Sequence, residues 1–256
     1  MRIMLTVAYD GTDYHGWQLQ PGVTTIEGEL NKQLSLLFQR EIKVIGASRT
    51  DTGVHALGNL AVFDVETQIP ANKIAYALNC RLPEDIRIQK SERVRDDFHP
   101  RKTDTRKTYH YRITNREFLN PLERLYTHFT YVPLQVEAMK EAAGYLVGTH
   151  DFQSFCAAGG TAESTIRTIY ELRVTKSGEI ITIAVTGNGF LYNMVRIIAG
   201  TLMEVGRGKF SPAEIKRIIS SRDRAQAGPT APACGLTLVK YEFCNTSHLS
   251  PLSWDK

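Results

Sequence analysis

The sequence predicts an α+β protein made of two related halves, each carrying an antiparallel sheet. Three observations carry this expectation. Hydrophobic residues make up 42% and charged residues 23% of 256 residues, an ordinary soluble globular composition and a length suited to one large domain or two of half that size. Alternating apolar runs of strand length recur along the whole chain, with a few runs of helical period between them. In the first half they fall in the order β-α-β-β-α-β, the order of RRM-like and ferredoxin-like folds.

Taken in order, the first strand is expected from Arg2 to Tyr9, then a glycine-containing loop and a helix from Ile26 to Gln39 that Thr25 can cap. Strands from Ile42 to Ala47 and Asn59 to Val65, a helix from Asn72 to Arg81 and a strand from Ile86 to Val94 complete the first half. The second half reads as strands from Thr108 to Thr114 and near Thr127 to Tyr131, a helix from Val136 to Val147, and strands from Thr168 to Thr175 and Ile180 to Thr186. Helices from Asn193 to Val205 and Pro212 to Ser220 follow, and a strand from Thr237 to Phe243 closes that half. The expected division is 1–100, 101–245 and a flexible tail 246–256.

No apolar run reaches membrane-spanning length, and the first residues lead into a strand rather than a signal peptide, so a cytoplasmic protein is expected. Cys80, Cys156, Cys234 and Cys244 stand far apart without C-x-x-C spacing, which indicates neither a zinc site nor a disulfide scaffold. The net charge of +4 is unevenly placed. Between Arg93 and Arg116, eight Lys or Arg face three acids, a local +5 that leaves the rest of the chain about neutral. Interleaved with Phe98, Tyr109 and Tyr111, this segment reads either as a phosphate-neutralising surface with rings for base stacking or as a solvated charged loop.

The most informative stretch is Ala47-Ser48-Arg49-Thr50-Asp51-Thr52-Gly53-Val54-His55-Ala56, a polar link between two apolar runs. It offers Asp51 to solvent from a rigid base. Read alone, Arg49 and Asp51 also suit an ion pair bracing a turn, with Gly53 supplying a positive φ. The helix from Asn193 is apolar around nearly its whole circumference and holds Arg196 as its one charge before Glu204. Such a guanidinium needs an anionic partner, for which Asp51 is one candidate, or must snorkel to the surface. Tyr109 shares a strand face with Tyr111, which fits packing as well as contact with a ligand.

These residues resemble the TruA-type tRNA pseudouridine synthases, together with Tyr9-Asp10-Gly11-Thr12-Asp13-Tyr14-His15-Gly16-Trp17-Gln18, Phe98-His99-Pro100-Arg101, Phe190-Leu191-Tyr192-Asn193-Met194-Val195-Arg196 and Gly235-Leu236-Thr237-Leu238-Val239. The resemblance implies one pseudouridine synthase catalytic core built from both halves, and isomerisation of uridine at positions 38, 39 and/or 40 of the tRNA anticodon stem-loop. It implies no cofactor or metal, and a homodimer that shares the RNA. Asp51 would be the nucleophile, adding either to the uracil ring or to the ribose carbon. Tyr109 would stack on the base, Arg196 would favour the charged carboxylate, Arg49 would fill the space left by the flipped nucleotide, and Leu236 would wall the pocket. Ser48, Thr52 and Lys102 depart from the usual Gly, Ala and aromatic residue, which opens the substrate range.

Two other classes compete. Asp51-Thr52-Gly53 is also the aspartic protease tripeptide, but only one occurs here, and it follows polar residues. A non-catalytic RNA-binding module would need an RRM aromatic signature that the chain lacks. Gly187-Asn188-Gly189 lacks the third glycine of a dinucleotide loop and reads as a turn before the helix.

Overall fold

The computed structural model describes residues 1–160 and 162–244, so the expected tail 246–256 lies outside the described residues. It divides into two units, Met1–Thr105 with the residues from Leu238 onward, and Arg106–Thr237.

In the first unit, strand β1 (Arg2–Tyr9) lies antiparallel between β3 (His55–Asp64) and β4 (Ile86–Val94). The short β2 (Ile45–Gly46) pairs with the far edge of β3. Alternation sends Ile3 and Leu5 to one face and Met4 to the other. On the first face, Phe63 meets Phe38 of helix α1 (Ile26–Phe38) with ring centroids 6.1 Å apart. On the other, Met4 packs with Ala47, Leu60, Val62, Val94 and Phe98. As expected, the Thr25 hydroxyl accepts from the Gly28 N–H and caps α1.

Three expectations need correction here. The strand from Ile42 shrinks to two residues because α1 side chains take its backbone N–H groups: Asn31 Oδ1 accepts from Val44 and Ser35 Oγ from Ile42. The strand after the polar link starts at His55 rather than Asn59. The helix expected from Asn72 to Arg81 is a single 3-10 turn, Ala71–Lys73, leading into the short α2 (Ile74–Asn79).

In the second unit, β5 (Thr105–Asn115), β9 (Ile180–Gly187), β8 (Ile166–Ser177) and β7 (Gly148–Asp151) form an antiparallel run. The expected antiparallel pattern breaks at β6 (His128–Thr130), which pairs in parallel with β5. β7 has no counterpart among the expected strands. Helices α3 (Val136–Gly144), α4 (Met194–Gly206) and α5 (Glu214–Ser221) complete the unit, with Ile197, Ile198 and Leu202 of α4 fully buried. The final strand β10 (Leu236–Phe243), read from sequence as closing the second half, lies beside β3 in the first unit from Leu238 onward.

Among the described residues, no helix is long and apolar enough to cross a membrane.

Candidate active site

Asp51 sits half-buried in the link between β2 and β3, and the backbone on both sides of it is fastened. The Thr50 carbonyl accepts from the Trp17 N–H at 3.0 Å, and the Gly53 N–H donates to the Tyr14 carbonyl at 3.2 Å. The Val54 N–H turns back to the carbonyl of Asp51 itself at 3.1 Å. Gly53 has φ of 75°, the left-handed conformation that the turn requires.

The motif from Tyr9 to Gln18 is the cradle of this link. A Cβ at Gly16, whose φ is 83°, would stand 2.6 Å from the Thr50 carbonyl oxygen and 3.1 Å from the Asp51 carbonyl carbon. One at Gly11 would stand 2.1 Å from the Val54 carbonyl oxygen. The Gly11 N–H donates to Nδ1 of buried His55 at 3.1 Å, which ties the turn to the start of β3. The two glycines are therefore required by close backbone approach, and through them the backbone that carries Asp51 is held by the framework.

A buried polar network lies beneath. Asn59, fully buried on β3, accepts from the Ser48 and Leu60 N–H groups and donates to the Ser48 carbonyl and the Tyr9 hydroxyl. The Tyr9 hydroxyl meets Thr50 Oγ1 at 2.8 Å. Burial drives the Tyr9 phenol well above its ordinary range, so it stays neutral and keeps its proton for this bond. Asn59 thus makes four hydrogen bonds, two of them to Ser48 in the run before the nucleophile candidate and one to the Tyr9 hydroxyl that meets Thr50. Sequence reading passed over it, although a polar residue inside an apolar strand was the available signal.

Ser48 is the exception in this network. Its Oγ is buried and makes no hydrogen bond among the described residues. An orphan buried hydroxyl costs about 1–3 kcal/mol, so Ser48→Ala is expected to stabilise the fold by roughly 1 kcal/mol, raising Tm by about 2–4 °C in a thermal melt. A lower Tm would show that the hydroxyl has a structural partner.

Arg49 is exposed. In the second unit, Tyr109 lies on β5 opposite Val185 and is 8% exposed. Its ring meets Phe190 edge to face at 5.3 Å. Arg196 is half-buried in the first turn of α4, where Nε donates to the Ala231 carbonyl at 2.7 Å and Nη1 to Asn193 Oδ1 at 2.9 Å. The Ala231 N–H returns a bond to the Arg196 carbonyl, and Asn193 adopts a left-handed φ of 58° before the helix. The guanidinium head is therefore fixed at two of its nitrogens. Leu236 is buried at the start of β10, next to Gly235, where a Cβ would meet the Tyr111 ring at 2.8 Å.

The stacking surface expected from the basic segment needs correction. Phe98 belongs to the apolar cluster around Met4, and Tyr111 is fully buried with its hydroxyl on the Pro232 carbonyl. Neither ring is presented to a ligand. Arg95 pairs with Asp97, whereas Arg101, Lys102, Arg106 and Arg112 are exposed. Arg106 covers the Tyr170 ring at 4.7 Å.

Comparison with known proteins places the chain in a family. A sequence profile of tRNA pseudouridine synthases matches residues 5–101 and 142–244. A tRNA pseudouridine synthase A of Thermoanaerobacter sp. (strain X514) is 50% identical over 238 residues, 93% of this chain and 98% of that protein. The tRNA pseudouridine synthase A of Bacillus subtilis (strain 168) is 46% identical over 248 residues, 96% of this chain and 100% of that protein. A tRNA pseudouridine synthase A 2 of Clostridium perfringens (strain 13 / Type A) is 47% identical over 238 residues, 93% of this chain and 98% of that protein.

Proposed function

Because the chain belongs to the tRNA pseudouridine synthase family, isomerases of tRNA uridine, we propose that Asp51 is its nucleophile and that it acts at one or more of positions 38, 39 and 40 of the anticodon stem-loop. The observation that carries the nucleophile assignment is the fastening of the backbone around Asp51, through Thr50 to Trp17, Gly53 to Tyr14 and Asp51 itself to Val54. A nucleophile must meet its target within a few tenths of an ångström, and a framework-held carboxylate supplies that accuracy.

In this reading the glycosidic bond between uracil N1 and the ribose C1′ breaks, the uracil turns, and a new bond joins C5 to that carbon, while the proton on C5 is lost and N1 gains one. No electrons are exchanged with a second reactant, so the reaction itself calls for no redox cofactor. The Asp51 carboxylate must be ionised to attack, and Arg196 is assigned the cation that favours this state. Its two anchored nitrogens support a fixed electrostatic role. Tyr109 stacks on the base, held upright by Phe190. Arg49 fills the gap left by the flipped nucleotide, and its exposure supports this. Leu236 contributes the apolar wall.

The chain is further assigned a homodimeric state. Phe118, Leu119, Leu122 and Tyr126, all exposed between β5 and β6, supply apolar surface of the kind that copies of a chain bury.

The test is to map pseudouridine in unmodified tRNA after incubation with the protein, by chemical labelling and reverse transcription. Stops confined to 38, 39 and 40 support the assignment. Stops elsewhere in the tRNA would overturn the positions while leaving the isomerase intact.

A further inference from the structure

Arg167, at the start of β8, has an unusual environment for an arginine. It is half-buried, and its Nη1 alone is occupied, donating to the carbonyls of Ser164 at 2.8 Å and Ile166 at 2.7 Å. Nε and Nη2, the two nitrogens along one edge of the guanidinium, make no hydrogen bond among the described residues. No described carboxylate lies within ion-pairing distance of it. Asp151, on the paired strand β7, sits opposite Ile166 and is already engaged by Arg222 and Thr165.

The consequence is a cation that gives up hydration without receiving a counter-charge. Burial pulls its pKa below the ordinary arginine value. Proteins retain such a charge where an anion arrives from outside, and the Nε/Nη2 edge is the fork that grips an oxyanion with two parallel bonds.

Its neighbours say which anion. The Arg167 stem runs alongside Gly189, where a Cβ would stand 3.8 Å from Nε. The next residue is Phe190, whose ring supports Tyr109. Thus one short loop, 187–190, connects the guanidinium with the aromatic ring assigned to the target base.

We propose that Arg167 binds a backbone phosphate of the tRNA, next to the nucleotide on which Tyr109 stacks. This rests on the tRNA reading above and adds a residue that fixes the strand on one side of the flipped base. Arg167 touches phosphate but not the reacting atoms, so its loss weakens binding and leaves the chemical step in place.

The test compares wild type, Arg167→Gln, Arg167→Lys and Arg173→Gln. Arg173 is an exposed arginine on the same strand, paired with Glu171. For each protein, tRNA affinity is measured from low to moderate salt, alongside single-turnover pseudouridine formation and a thermal melt. Arg167→Gln is expected to weaken binding about tenfold and to lower the slope of log affinity against log salt by roughly 0.7–0.9, with the saturated single-turnover rate within twofold of wild type. Arg167→Lys should restore the slope, because the charge returns, and Arg173→Gln should leave it unchanged. An unchanged slope in Arg167→Gln would overturn the proposal. So would a slope lost equally in Arg167→Lys, which would mark a structural role, or in Arg173→Gln, which would mark general charge. A wild type that binds tRNA yet forms no pseudouridine would sink the parent reading, while the four slopes would still decide Arg167.

Discussion

Asp51→Asn is expected to lower pseudouridine formation by roughly 10⁴-fold or more, as loss of a covalent nucleophile does, while tRNA binding changes by less than about threefold. The asymmetry follows from where the residue sits. Its side chain is half-buried, and backbone bonds at Thr50, Asp51, Gly53 and Val54 hold the link whatever side chain stands at position 51. Asn matches the carboxylate in size, so the link keeps its backbone. What disappears is the anionic oxygen that attacks carbon. Single-turnover rates at saturating enzyme, set beside tRNA affinity and a thermal melt, separate the two effects. A variant that retains a tenth or more of the wild-type rate would remove Asp51 from the nucleophile's role.

The second large effect is expected at a residue with no side chain. Gly16→Ala combines a positive φ, which costs a non-glycine residue about 1 kcal/mol, with a Cβ driven to 2.6 Å from the Thr50 carbonyl oxygen. The obstacle is backbone and cannot rotate away, so the link carrying Asp51 must shift. We expect a stability loss of about 2–4 kcal/mol and, because a displacement of about 1 Å costs on the order of 10²-fold in rate, a matching fall in activity of the protein that remains folded. Gly22→Ala is the control. It shares a positive φ of 77° but has open space around it, so it should pay only the conformational cost and keep full activity. Equal rates for the Gly16 and Gly22 variants at a temperature where both are folded would show that the cradle does not position the nucleophile.

The legibility of this molecule from its sequence followed the range of the interactions involved. β1, α1 and β4 were readable because alternation, helical period and a Thr25 cap are local signals. β2 was overread because the bonds that interrupt it come from Asn31 and Ser35, side chains on a helix that passes nearby only in the folded chain. The placement of β10 beside β3 is a choice of partner across most of the chain, and nothing within the strand announces it. At the site, the link around Asp51 was legible as a polar insertion between apolar runs, and Gly53 as its turn residue. Phe98 and Tyr111 misled because the charge around them suggested solvent, whereas strand alternation turns Tyr111 inward and the apolar cluster around Met4 takes up Phe98. Arg167 gave no warning, since an arginine at a strand start is unremarkable until its lack of a carboxylate among the described residues is seen.

The most direct measurement is tritium release from unmodified tRNA labelled at C5 of uridine, followed alongside pseudouridine content. Release by the wild type in step with pseudouridine formation, with none from Asp51→Asn under the same conditions, is the result expected of an isomerase that works through this carboxylate. Binding of tRNA by the wild type without release, or release at the same rate from Asp51→Asn, would contradict it.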